Sequence, residues 1–197
     1  YNETFYGKCC QNITEALKGI SYSKVYINSL LEILEGNLSF VPSSTSLKEV
    51  ADISLYDHLK MTAAFGVCIY KYLEDKKINN YKKELWEDAS EFYDKKAFLL
   101  YSMDMSGIQD FIYTISSDGA LKTLRARSFY LELLMEYMVD ELLEKLNLSR
   151  ANLIYCGGGH AYILADCSEN TKRIIEEFEN SMNMFFIQTF SNALYLA

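Results

Sequence analysis

The 197 residues carry 27 acidic against 19 basic side chains, a formal charge of −8, and half of them are hydrophobic, with 14% aromatic and 23% charged. Such a chain is too apolar for an intrinsically disordered segment, and its length suits one large domain or two small ones. The acidic balance excludes a free-standing protein that grips nucleic acid through bulk positive charge, while leaving room for a local basic patch.

No stretch approaches ~18 uncharged apolar residues, so a membrane span is excluded. The chain opens on Tyr1 with no basic segment, apolar run and cleavage site behind it, and reads as a piece excised from a longer protein. Cys9, Cys10, Cys68, Cys156 and Cys167 are odd in number and form no C-x-x-C pair, which fits neither a disulfide framework nor a zinc site. A reducing, cytoplasmic setting is expected. The Asn-x-Ser/Thr triplets at Asn12, Asn37 and Asn147 carry little weight there.

Residues 22 to 35 set Val25, Ile27, Leu30, Leu31 and Leu34 on one helical stripe, with Gly36-Asn37 as a stop. The only proline, Pro42, lies among serines in a loop or linker. Ser54 then caps a buried helix that ends near Asp75, with Asp57 standing in for the Glu of a capping box. Residues 76 to 95 are a solvated connection with room for a short helix around Tyr81 to Trp86. AFLLYSMDMSG (97 to 107) reads as a strand whose last residues include Asp104, followed by a short helix and a turn at 117 to 120. From Lys122 to Leu146, Glu132, Glu136, Asp140 and Glu144 recur every four residues, predicting a long helix with one narrow acidic stripe in water and the rest packed. NLIYCGGGHAYILA (152 to 165) is a β-hairpin with glycines for positive φ at its tip. Ser168 to Asn180 form an amphipathic helix with Ser168 at its cap, and FFIQTFSNALYLA (185 to 197) holds the helix's end followed by a strand that starts near Ala193.

Strand, helix, helix, hairpin, helix, strand is the order of a ferredoxin-like β-α-β-β-α-β palm, so an α+β fold is expected, with a helical segment over 1–95 and the palm over 96–197. In that sheet Asp104-Met105-Ser106-Gly107 and the hairpin Cys156 to His160 converge. Palm nucleotidyltransferases use this geometry to hold two divalent metals, with an acid at the end of the first strand and an acidic pair at the hairpin. Here the hairpin offers Gly157, Gly158, Gly159 and His160 instead, and hard Mg²⁺ prefers oxygen ligands. The expected site holds a nucleotide, with backbone N–H groups of Ser106-Gly107 and of the glycine hairpin near phosphates or base, but no two-metal centre. An ordinary glycine turn with a surface histidine reads the same residues. Arg125 and Arg127 open the long helix, where positive charge opposes the helix dipole; they suit a bound phosphate, or ion pairs with Asp104, Asp110 or Asp118. Asp57-His58 reverses the His-Asp doublet of metal phosphohydrolases, but with two histidines in the chain it reads as a structural pair at a helix start. Phe111, Tyr113, Phe129 and Tyr130 at helical spacing suit core better than base stacking.

Four strings, DISLYDHLKMTAA (52 to 64), DMSGIQDFIYTIS (104 to 116), LKTLRARSFYLELL (121 to 134) and IYCGGGHAYILA (154 to 165), together resemble the large subunit of type III-A CRISPR effector complexes. The resemblance runs from about residue 38 onward; YNETFYGKCC matches nothing recognised. It implies a protein with an HD-type single-stranded DNA nuclease domain, two palms that bind ATP face to face, and a GGDD motif in the second palm that makes cyclic oligoadenylates. This chain would then hold the end of the HD region and the first, degenerate palm. ATP contacts would fall on Asp104, Ser106, Gly107, Gly158, Gly159 and His160, with Arg125 and Arg127 beside them. No catalytic residue is implied in the chain itself, and Mg²⁺ or Mn²⁺ would be held mainly by the second palm. Implied partners are the other effector subunits, with guide and target RNA through the complex. A structural palm that docks a neighbouring subunit is the alternative; a complete GGDEF-like cyclase is opposed by the missing hairpin acids.

Overall fold

The computed structural model describes residues 3–21, 23, 26–46, 48, 50–114 and 120–197. They fall into two compact units, 1–65 with 149–152, and 66–148 with 153–197.

In the first unit, helices α1 (Glu3–Leu17) and α2 (Tyr26–Leu38) and the start of α3 (Leu55–Asp75) surround a small core of Leu38, Val41 and Tyr56, joined by Phe5, Cys9, Ile13, Leu31, Leu34 and Leu55. α1 was not singled out within the helical segment expected over 1–95, although Phe5, Cys9, Ile13 and Leu17 recur every four residues on its one half-buried stripe; none of its residues is fully buried. α2 runs through the expected stop at Gly36-Asn37 to reach Leu38, which is buried, while Asn37 bonds back to the Ile33 carbonyl at 2.8 Å. Its expected first residues, Tyr22 and Val25, lie outside the described residues. Pro42 forms an isolated β-bridge with Ser54. Ser54 caps α3 as the sequence implies: its hydroxyl accepts from the Asp57 amide at 2.9 Å and donates to the Asp57 carboxylate at 2.7 Å. Burial, with Glu35 beside it, pushes the Tyr56 hydroxyl up to about 12.

The second unit contains the palm-like sheet and its helices. The connection after α3 holds a π-helical turn (Lys83–Glu87) and α4 (Ala89–Phe92). Then come β1 (Phe98–Ser106), α5 (Ile108–Tyr113), α6 (Ala120–Lys145), β2 (Leu153–Gly157), β3 (His160–Asp166), α7 (Glu169–Phe190) and β4 (Tyr195–Leu196). The four strands are antiparallel in the order β2-β3-β1-β4, the ferredoxin-like arrangement. Alternation along the strands turns Met103, Met105, Ala161, Ile163, Ala165, Leu153 and Leu196 to one face. There they meet Leu131, Met135, Met138, Val139 and Leu142 of α6 and Ile175, Phe178, Met182 and Phe186 of α7.

α7 ends at Phe190, inside the stretch where the sequence places the helix's end, and Met182 and Phe186 continue its buried stripe to that point. β4 is shorter than expected and starts at Tyr195. Asn183 of α7 holds it, donating to the Leu196 carbonyl at 2.9 Å and accepting from the Leu196 amide at 2.8 Å. α6 has a wider wet face than its acidic stripe suggests: Phe129, Leu133 and Tyr137, four residues apart, are exposed beside Glu132 and Asp140. Of the four aromatics expected in the core, Phe111 packs against it and meets Phe190 edge to face, whereas Tyr113, Phe129 and Tyr130 are largely exposed. The expected turn at 117 to 120 lies outside the described residues but for Ala120, where α6 starts. No described helix is long and apolar enough to cross a membrane.

Candidate functional site

β1 carries Asp104 and β3 carries His160 in direct register, so the two side chains share the sheet face opposite the core. Strand pairing also fixes the backbone of Asp104: it exchanges both hydrogen bonds with Ala197 after β4, at 2.9 and 2.8 Å, and the next amide, Met105, donates to the Gly159 carbonyl at 2.8 Å. The hairpin between β2 and β3 turns on Gly158 (φ +60°) and Gly159 (φ +88°), the two positive φ angles that a two-residue turn of this hand demands.

The carboxylate of Asp104 is the middle of a three-residue chain. His160 Nδ1 lies 2.8 Å from Oδ1, and Ser106 Oγ donates to Oδ2 at 2.8 Å. With its Nδ1–H given to Asp104 the ring is held in one orientation, and Nε2 is left outward, an acceptor in the neutral imidazole and a donor in the imidazolium. Aspartate orients the ring, serine orients the aspartate, and the half-exposed histidine presents Nε2 to whatever occupies the sheet face.

The glycines divide by role. A Cβ on Gly107 (φ +90°) would lie 2.0 Å from the Ala193 carbonyl oxygen, and one on Gly159 would lie 2.2 Å from Ile108 Cδ1. At Gly107 fixed backbone fills that space, whereas at Gly159 the neighbour is a side-chain tip and the positive φ of the turn is what calls for glycine. Gly158 has nothing within 4 Å of such a Cβ, so its backbone faces open space.

The arginines do not join this chain. The guanidinium of Arg127 lies 5.1 Å from the Phe111 ring centroid and donates to the carbonyls of Phe111 and, at 3.0 Å, Thr114, capping the end of α5. It also lines a cavity of about 540 Å³ with Phe111, Lys122, Thr123, Ala126 and Tyr130. Arg125 is exposed on α6. Of the carboxylates weighed as their partners, Asp104 is engaged by His160 and Ser106, and Asp118 lies outside the described residues.

A two-metal centre does not fit these residues. Both oxygens of Asp104 are committed to hydrogen bonds, and among the described residues no group of three or more His, Cys, Asp or Glu side chains is placed to hold a metal ion. Asp57 serves the α3 cap, and His58 is exposed one residue further on.

Sequence reasoning missed the tyrosines of the same face. Tyr162 pairs with Ser102 on β1 and Tyr155 on β2, and Tyr195 on β4 pairs with Ser106. The i, i+2 relation of His160 and Tyr162 was the available signal; that of Tyr155 was hidden by an irregularity in β2.

Residues 97–197 match the family model described as Csm1 subunit domain B. The chain belongs to the Csm1 family. Csm1 is the large subunit of type III-A CRISPR effector complexes, as the four sequence strings suggested. Its relatives include the CRISPR system single-strand-specific deoxyribonuclease Cas10/Csm1 (subtype III-A) of Streptococcus thermophilus, 50% identical over 192 residues, which cover 98% of this chain and 25% of the relative. The Mycobacterium tuberculosis protein of the same description is 48% identical over 197 residues, covering 100% of this chain and 24% of its own. This Csm1 chain thus spans about a quarter of the length of the curated relatives it matches. Among solved structures, a Csm1-Csm4 cassette in complex with pppApA superposes with a TM-score of 0.81 at 35% identity, covering 100% of this chain and 25% of that one. A cassette in complex with cA4 gives 0.77 at 36% identity, covering 98% and 24%.

Proposed function

We propose that residues 96–197 are the first, non-catalytic palm of a Csm1 subunit and hold ATP on the open sheet face, and that residues 1–95 are the end of an HD-type region with its linker. The observation that carries this is the Ser106–Asp104–His160 chain facing a hairpin with no second acid. It supplies an oriented imidazole, whose Nε2–H in the imidazolium form can donate to a phosphate oxygen, and the open backbone of Gly158, and withholds the paired carboxylates that two metals need. Asp104, Ser106, Gly107, Gly158, Gly159 and His160 would form the pocket, with Arg125 as an outer phosphate contact and Arg127 acting through the α5 carbonyls. Mg²⁺ or Mn²⁺ accompanying the ATP would be held by a second palm, which in the intact protein converts ATP to cyclic oligoadenylates; single-stranded DNA cleavage belongs to the HD region. The solved relatives with pppApA, cA4 and one ATP support a nucleotide site in this family. Partners would be Csm4 and the other effector subunits, and guide and target RNA through the complex, in the cytoplasm.

The test is titration of the intact subunit with ATP and Mg²⁺. Replacing Ser106 and His160 together by alanine is expected to remove one binding site; unchanged stoichiometry and affinity would refute the reading. A second reading, a palm that serves only to dock a neighbouring subunit, is favoured by the exposed Phe129, Leu133 and Tyr137 on α6 and by the Csm4 partner of the solved relatives. Unchanged ATP binding in the double variant would leave it standing.

A further inference from the structure

The open sheet face carries a second feature next to the Asp104–His160 pair. Strict alternation would put Tyr155 on the same side of β2 as Leu153, which is in the core. It does not go there. Leu153 pairs with Ile163, but Tyr155 pairs with Tyr162, a slip of one residue that marks a bulge at Ile154. The bulge re-aims Tyr155 onto the open face, the use to which bulges beside functional sites are commonly put.

Tyr155 and Tyr162 then lie side by side, ring centroids 6.2 Å apart and planes tilted by 40°, 51% and 38% exposed. Tyr155 also reaches along its own strand. A Cβ on Gly157 would lie 2.8 Å from the Tyr155 hydroxyl and 3.2 Å from Cζ, so the ring lies over Gly157, whose partner across the hairpin is His160. Gly157 lacks the positive φ of Gly158 and Gly159, and what a Cβ there would meet is the tip of the Tyr155 ring, which would have to swing off the strand to make room. Two exposed aromatic rings therefore lead from the middle of the sheet to the residue opposite the oriented imidazole.

We propose that Tyr155 and Tyr162 form the platform on which the purine base of the bound nucleoside triphosphate stacks, its phosphates directed to His160 and Gly158. The inference rests on the nucleotide reading of the same site and adds where the base goes and how it is recognised. Stacking is indifferent to the groups on the ring edge, so the platform favours large bases without separating adenine from guanine.

The test is equilibrium titration of the full-length subunit with ATP, GTP and inorganic tripolyphosphate, scoring the site that Ser106→Ala with His160→Ala abolishes. Tyr155→Leu is expected to weaken ATP and GTP alike by about ten-fold, the loss of one base stack, and to leave tripolyphosphate unchanged. Tyr155→Phe is expected to bind as the unaltered protein does. Gly157→Ala, which pushes the ring aside, should weaken ATP in the native background and much less in the Tyr155→Phe background, where the colliding hydroxyl is gone. If Tyr155→Leu leaves ATP affinity within two-fold while the Ser106/His160 variant loses it, the platform is refuted and the nucleotide site stands. If Tyr155→Leu weakens tripolyphosphate as much as ATP, its role is to hold the hairpin and the platform is likewise refuted. If the Ser106/His160 variant binds ATP normally, the site reading fails and the platform with it.

Discussion

Asp166 closes β3 and is buried, and several donors surround its carboxylate. Thr171 Oγ1 donates to it, 2.9 Å from each oxygen, the Ser168 amide donates at 3.3 Å, and Lys71 Nζ lies 3.4 Å from Oδ1 while also bonding the Leu146 carbonyl. Burial works to raise its pKa; the Ser168 and Thr171 hydrogen bonds and the Lys71 charge outweigh it and hold the carboxyl below its usual range. Asp166→Asn keeps the shape and removes the charge, leaving the Lys71 ammonium without its anion. Breaking a fully buried pair costs about 3–5 kcal/mol, and because the Lys71 side chain is 22% exposed the expected loss is smaller, about 2–4 kcal/mol. A group whose folded pKa is depressed stabilises above its unfolded pKa and loses that contribution as pH falls through the folded value. The difference in unfolding free energy between the native chain and Asp166→Asn, from urea titrations followed by circular dichroism, should thus be constant above about pH 5 and shrink below about pH 4. Taking the difference cancels every other carboxylate. A gap that persists undiminished at pH 3, or no gap at pH 7, would refute the account; Lys71→Met in the Asp166→Asn background should cost less than in the native one.

Gly107→Ala should destabilise the chain by about 2–5 kcal/mol in the same titration, combining a left-handed backbone with a collision against the Ala193 carbonyl, whereas Gly158→Ala, with open space around it, should cost only about 1 kcal/mol. Equal costs would show that the hairpin tip is packed as tightly as the β1 exit. Ser54→Ala should weaken the start of α3 by about 1 kcal/mol and speed hydrogen exchange in its first turn, with Ser54→Asp restoring protection; unchanged exchange in the alanine variant would mean that the cap contributes nothing.

The palm was legible because its elements obey local rules. A short apolar run ended by Ser106-Gly107 named β1, two short apolar runs around the glycines before His160 named the hairpin, and Ser168 named the start of α7. From those the sheet order followed, and with it the meeting of Asp104 and His160. What stayed hidden depends on choices that no local pattern records. The α2 stop at Gly36-Asn37 was overridden because extending the helix buries Leu38. Arg127 could have turned outward to an anion, and instead caps α5 from the next helix. The exposed aromatics of α6 look like core residues in sequence because hydrophobicity alone does not say which face is covered. Tyr155 was the hardest to place: a single extra residue in β2 reverses its direction, and strand periodicity is blind to such an insertion.

The short strand β4 has a further consequence. A sheet's outer strand ordinarily offers a row of unused amides and carbonyls to any passing chain. At Leu196 both are taken by the Asn183 side chain, a primary amide that imitates one peptide unit of an absent fifth strand. Strand addition is therefore barred at Leu196, and the sheet's other outer strand is β2, on the far side from Ala197.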